Sequence, residues 1–233
     1  LEEEVADNDL LGNPGLRPET AWGGDLGYER RVGATGVAGV NAFYRDVTDL
    51  IEIYNTGLRG SASVAAPAAA DRFIYSARNT GDGQVWGVEF DLSSSLGAFG
   101  LDNTGVFLNY SWLDSDVGDE FGSRTFNSQA ESVFNVGFIQ DIPTWKSSFG
   151  VTYRKQGDAQ SRIVSEEVTT SYDGDLEAFV EHRIGDRFTV RLTGSNLLDS
   201  EKSEVFNKFL TAADQRGRIF DEYELEGESA GPV

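Results

Sequence analysis

Cysteine and methionine are both absent from this 233-residue sequence, and histidine occurs once, as His182. Without cysteine there can be no disulfide staple, no thiol nucleophile and no thiolate metal site. Without methionine the sequence cannot be a whole translation product that keeps its initiator, so it is expected to be a fragment or a processed piece. Long apolar runs are missing too. No stretch approaches the roughly 18 consecutive apolar residues of a membrane helix. Cations are scarce, with 19 Lys and Arg against 39 Asp and Glu and a formal net charge of −20. A chain of that sign repels nucleic acid, whose binding depends on phosphate neutralisation by Lys and Arg. Catalytic constellations are lacking as well: there is no G-x-S-x-G elbow, and His182 has no nucleophile or base to pair with. The chain is read as a non-enzyme that needs no cofactor.

What is present is alternation. The connections run short, long, short, long. Val32–Thr35, Leu96–Gly100, Ile142–Lys146 and Gly185–Asp186 are tight; Leu50–Asp82, Asp114–Glu131, Gly157–Ser171 and Asn196–Arg218 are long. A soluble sandwich has no reason to gather its long loops at one end. An outer-membrane β-barrel does, because its periplasmic turns are short and its extracellular loops are long.

Each segment between these connections has an apolar period of two. In Thr20–Val32, Trp22, Leu26 and Tyr28 share a face with Gly24. Ala38, Val40, Ala42 and Tyr44 follow in Gly36–Leu50, then Trp86, Val88, Phe90 and Leu92 in Gln84–Ser95. Val106, Leu108, Tyr110 and Trp112 come next, then Phe134, Val136 and Phe138, then Phe149, Val151 and Tyr153. The seventh and eighth segments carry Leu176, Ala178 and Val180, and Phe188, Val190 and Leu192. Spans of about ten residues suit tilted strands crossing a bilayer, with every second side chain toward lipid. Trp22, Tyr44, Trp86, Tyr110, Trp112 and Tyr153 close several apolar faces, as interfacial aromatics do. Soluble sheets also alternate, so the same rings fit a sandwich core.

A ninth segment, Ile219–Gly227, is expected to begin a further crossing that Ser229–Val233 leaves unfinished. Single-chain bacterial barrels use an even number of strands, so nine need partners. On the parity opposite the apolar face stand Glu89, Asp91, Arg154, Asp175, Glu177 and Arg191, expected to face a lumen and pair with neighbouring strands or a plug. His182 falls on apolar parity close to a tight turn, an interfacial position. Asp114–Glu120 is dense in acids but fails the EF-hand pattern, because Asp119 stands where that loop needs glycine; it is read as a solvated loop. Asn109-Tyr110-Ser111 matches a glycosylation acceptor inside a strand and is read as accidental.

The long connections carry the candidate ligand contacts. Tyr54, Arg59, Phe73, Tyr75 and Arg78 flank the small-residue tract Ser61–Ala70; Phe121, Arg124 and Phe126 lie in the second loop, and Phe206, Lys208 and Phe209 in the last. Aromatic and cationic side chains together suit flat or anionic ligands through stacking and bidentate hydrogen bonds. Packing over the barrel mouth is the plainer alternative.

Four stretches resemble TonB-dependent outer-membrane receptors in that family's order. Asn13-Pro14-Gly15-Leu16-Arg17-Pro18-Glu19-Thr20 with Leu26-Gly27-Tyr28-Glu29 is similar to its "NPxLxPE…ELGxE" stretch. Ala42-Phe43-Tyr44-Arg45-Asp46 with Asp49-Leu50-Ile51 resembles the next strand. Asn79-Thr80-Gly81 leading to Val85-Trp86-Gly87-Val88-Glu89 is similar to the "N-G…GVE" hairpin, and Asn196-Leu197-Leu198-Asp199 to the "NLLD" signature. The resemblance implies the C-terminal part of a plugged barrel of the 22-stranded class, in the outer membrane of a Gram-negative bacterium. It implies as partners outer-membrane lipid and lipopolysaccharide, the remaining strands and plug domain, the TonB complex and a small-molecule nutrient. That family usually ends on an aromatic residue; Val233 is not one. Active uptake of a ferric siderophore, cobalamin or oligosaccharide is the function so implied. A passive porin-like barrel and a soluble secreted glycan-binding β-domain stay open as alternatives.

Overall fold

The computed structural model describes residues 9–60, 73–229 and 231–232. The tract Ser61–Ala70 and the terminal Val233 lie outside the described residues. In chain order the strands are β1 (Asp9–Leu11), β2 (Thr20–Val32), β3 (Gly36–Arg59), β4 (Phe73–Leu96), β5 (Leu101–Asp119), β6 (Gly122–Arg124), β7 (Gln129–Ala130) and β8 (Ser132–Ile142). They continue as β9 (Ser147–Gln156), β10 (Ala159–Ile163), β11 (Glu166–Tyr172), β12 (Asp175–Ile184), β13 (Phe188–Gly194), β14 (Lys202–Lys208) and β15 (Glu222–Glu228). One short helix, α1 (Ala212–Gly217), follows β14.

Eight strands form an antiparallel wall in the order β13-β12-β9-β8-β5-β4-β3-β2. These correspond to the eight alternating segments of the sequence, and β2 spans Thr20–Val32 as its periodicity predicts. Tight turns join them at one end, two of them one-turn 3-10 helices at Gly97–Phe99 and Pro143–Trp145.

The wall has an apolar face turned outward. Leu26 is 79% exposed, Val88 41%, Val136 37%, Val190 57% and Leu192 76%. Among the described residues no second sheet covers these side chains, so they are not a sandwich core. Across the opposite face, Asp91, Asn109, Asn135, Arg154 and Asp175 stand in one register row through five strands. Asn109 donates to Asp91, and Arg154 pairs with Asp175 at 2.7 Å. On that polar face Phe43, Phe107 and Phe179 lie over their cross-strand partners Gly87, Gly137 and Gly150. A Cβ at any of these three glycines would strike the ring. An aromatic laid across a strand glycine restores the packing that glycine forfeits.

Above the wall the sequence reading needs correction. Leu50–Asp82 is not a plain loop: β3 and β4 each run for 24 residues and stay paired as far as Arg59 and Phe73. At ~3.3 Å per residue such strands reach about 80 Å, well beyond the roughly 30 Å hydrocarbon layer. A register shift between Val47 and Leu50 marks the exit from the wall, and Asp49 there takes a left-handed backbone with φ 59°. The motif residues secure this irregularity. Asp82 accepts from the Asp49 amide, and Asn79 donates to the Asp49 carbonyl. Asn79 also exchanges hydrogen bonds with the Arg17 backbone, while Arg17 pairs with Asp49 at 2.5 Å. Ahead of them β1 adds in parallel to β4 at Ile74–Ser76.

The Gly157–Ser171 and Asn196–Arg218 connections are likewise strands. A five-stranded sheet runs β15-β14-β11-β10-β7. It repeats the order of the wall below, because β9 passes into β10, β11 into β12 and β13 into β14. Breaks at Gly157-Asp158, Asp173-Gly174 and Ser195–Glu201 separate the two sheets. Hydrogen bonds stitch the breaks: the Gly157 amide to Ser132, the Asp173 amide to Glu201, the Leu197 amide to Leu176, and Ser200 Oγ to the Gly174 carbonyl. The "NLLD" motif forms the third break, with Asn196 and Asp199 in left-handed conformations. The expected ninth segment is present as β15, Glu222–Glu228, which pairs antiparallel with β14 in the upper sheet and stops short of a crossing among the described residues. Backbone pairing continues where a new column begins, above the wall.

Candidate functional site

Every buried hydrophobic residue described belongs to the long-loop end: Val47, Leu50, Tyr75, Val117, Ala159, Val168, Phe206 and Phe209. Charge is buried there too. Arg124, the last residue of β6, is held by Asp119 at 2.8 Å and by Glu52 of β3 at 2.5 Å. Asp119 also accepts two hydrogen bonds from Arg162 of β10, at 3.0 and 3.1 Å. The Arg124, Asp119 and Glu52 side chains are 9%, 5% and 12% exposed, so water screens the cluster little. The acidic stretch Asp114–Glu120 is therefore not a solvated loop. It is the end of β5, with Asp119 caught between guanidiniums from two hairpins.

Burial opposes the charge on Asp119. Hydrogen bonds from Arg124, the Phe121 amide and Arg162 outweigh it and hold the carboxyl below the usual carboxylate range. Burial likewise works against the Arg124 charge, yet its bonds to Glu52 and Asp119 raise its pKa above the usual arginine value. Removing one partner from such a cluster leaves a buried charge uncompensated, at a cost of about 3–5 kcal/mol. The cluster therefore locks the relative positions of three hairpins.

The structure distributes the sequence candidates among several jobs. Arg78 lies 4.7 Å from the Tyr54 ring centroid and pairs with Glu120 at 3.1 Å. Phe121 faces Arg162 at 5.9 Å and Arg216 at 6.0 Å. Phe126 packs on Val47, Leu50 and Val117 in a small core, and Tyr75 is buried. Arg59 and Phe73 are the last described backbone partners of the long β3–β4 pair. Phe206 is 2% exposed beneath Lys208, which pairs with Glu224 at 2.9 Å. Phe209 stacks against Phe220 at 5.1 Å. His182 sits exposed at the tight-turn end and hydrogen-bonds Ser147 at 2.8 Å. Among the described residues no cluster of His, Cys, Asp or Glu could hold a metal.

Reasoning from the sequence missed Glu52 and Arg162, named Asp119 only as part of a solvated loop, and missed the cleft beside Arg124 and Arg162. That cleft, of about 260 Å³, is lined by Arg124, Thr125, Gln160, Arg162, Thr169 and Asn207 among others. Arg162, Glu167 and Asn207 form one register row across β10, β11 and β14, with Gln160 and Thr169 the pair beside it. The available signal was the alternation of Gln160 with Arg162 and of Glu167 with Thr169, two polar faces that fit a hairpin better than a loop.

A family model described as "TonB dependent receptor-like, beta-barrel" matches residues 5–197. This chain belongs to that family. Membership makes it the wall of an outer-membrane β-barrel, in a class of receptors and transporters that works with a plug and TonB. No curated protein matches the sequence. Among solved structures, the CymD monoaromatic hydrocarbon channel is similar at 10% identity and a TM-score of 0.33, over 92% of this chain and 70% of its own. No helix among the described residues is long and apolar enough to cross a membrane, which leaves crossing by strands untouched.

Proposed function

We propose that this chain is the C-terminal wall and ligand-facing mouth of a TonB-dependent active transporter, taking up a scarce nutrient such as a ferric siderophore, cobalamin or oligosaccharide. The observation that carries this reading is the two-faced wall. Its apolar side chains are exposed on one side, a polar row runs across the other, and the paired hairpins all rise at one end. In this reading the hairpins are extracellular and the polar row faces a plug. Further strands pair with the β2 and β13 edges, since an open edge in lipid leaves backbone groups unsatisfied at several kcal/mol each. Transport then follows from a ligand that binds two plug states unequally, with TonB shifting their populations.

The test is nutrient uptake by cells carrying the full-length receptor. Uptake that stops when TonB is deleted or the proton-motive force is collapsed supports active transport. Uptake that persists under both treatments overturns it in favour of the passive porin-like barrel.

A further inference from the structure

Resting on that receptor reading, we infer that the cleft between β6 and the β10–β11 pair is a subsite for a neutral polyhydroxylated ligand, a sugar ring, and not for an anion. Three guanidiniums near the cleft first suggest an anion site, but their charge is already answered. Arg124 and Arg162 face Glu52 and Asp119, and Arg218 faces Glu167. Three of the five Arg124 N–H groups are engaged: Nε donates to Asp119, Nη2 to Glu52 and Nη1 to the Thr125 carbonyl. At Arg124 and Arg162 an anion that took over their charge would have to displace the buried Asp119 carboxylate and strand it, the arrangement that costs most in a low-dielectric site. At long range the formal charge of −20 repels anions as well.

What remains to meet a ligand is neutral. Among the described residues, the side chains of Gln160, Asn207, Thr125 and Thr169 have no hydrogen-bond partner, and Arg162 Nη1 makes no bond. Two amides and two hydroxyls donate and accept alike, which suits a ring bearing hydroxyls on several carbons. The pairs Gln160 with Thr169 and Glu167 with Asn207 place these groups on neighbouring strands, ~4.8 Å apart. The volume of about 260 Å³ is below the ~300–1,000 Å³ of larger small-molecule sites and suits a single ring. Among the described residues Val168 is the one apolar residue in the lining, too little for a flat hydrophobic ligand.

The test uses the full-length receptor in detergent on a printed array of neutral and acidic oligosaccharides, with calorimetry against inorganic phosphate and citrate. Saturable binding of a neutral glycan is expected, changing less than about twofold in half-molar salt because no charge pair is made. Gln160→Leu and Asn207→Leu should each weaken it by roughly tenfold, the upper range for one hydrogen-bonding group. Gln160 is exposed, so its variant keeps the fold. Failure of every neutral glycan to bind, binding of phosphate or citrate in their place, or neutral binding untouched by both variants would each overturn the inference. TonB-dependent uptake together with any of those results would leave the transporter reading standing. Glycan binding with TonB-independent uptake would do the reverse.

Discussion

The wall and the mouth are built from the same strands and obey opposite packing rules. Along β3 the residues Val40 and Ala42 stand on the face turned outward, while Val47 and Leu50, a few positions on, are buried. In the wall large apolar side chains such as Trp22, Leu26, Phe188 and Leu192 are exposed, and the buried residues include glycines beneath Phe43, Phe107 and Phe179. In the mouth a carboxylate and a guanidinium are buried together. The difference follows from the solvent. Hydrocarbon accepts leucine and rejects charge, so the wall keeps its charges on the polar face. Water surrounds the mouth, so hairpins there must assemble an interior of their own, and in so acidic a chain the available glue is arginine bound to carboxylate.

That contrast can be broken most directly at Asp119. Asp119→Ala leaves Arg124 and Arg162 without their shared acceptor and should destabilise the mouth by about 3–5 kcal/mol, read as faster amide exchange in β5, β6 and β10. Exchange in β12 and β13 should not change; a uniform rise would mean that wall and mouth unfold as one. The same residue sets an acid response. Its folded pKa is depressed, so its contribution is complete above the unfolded carboxylate range and is lost as pH falls through the lower folded value. Mouth amides should loosen there before wall amides, and Asp119→Asn should abolish that step.

On the wall, Val190→Arg places a cation on the lipid side and should cost about 2–4 kcal/mol in bilayer refolding, whereas Thr189→Arg, one residue away on the polar face, should cost less than about 1. Equal costs would remove the distinction between the faces. Gly137→Val drives a side chain into the Phe107 ring and should cost about 1–3 kcal/mol in melting experiments. Smallest is Arg17→Ala. Arg17 is 70% exposed in its pair with Asp49, and about 0–1 kcal/mol is expected from loss of the pair.

The wall was legible because alternation with a period of two is a local property. Val88 with Phe90, and Val190 with Leu192, declare their face whatever lies beside them, and the eight crossings follow from that pattern alone. Resemblance gave the family from short strings, but not why they recur. In the structure Asn79, Asp49, Asp82 and Arg17 meet around one left-handed residue where β3 leaves the wall. The mouth reads as loops in the sequence because its strands are mostly polar, with Ala159, Val168 and Phe206 the buried apolar residues of β10, β11 and β14, too few to show the contrast that marks a strand. Arg162 and Asp119 are 43 positions apart, and no local rule pairs them.

The sequence by itself determined the strand period, the face that meets hydrocarbon, the end that bears the long connections and the family. The period and the face depend on neighbours one or two residues away, and the other two on the order of segments and motifs along the chain. Only the tertiary structure decided that those connections are paired strands, that Phe126 and Phe206 are packed inside while Gln160 and Asn207 border a cleft, and that Asp119 is buried. Those outcomes depend on which hairpin lies against which, because a charge is tolerated in an interior only where a partner from a distant part of the chain arrives to meet it.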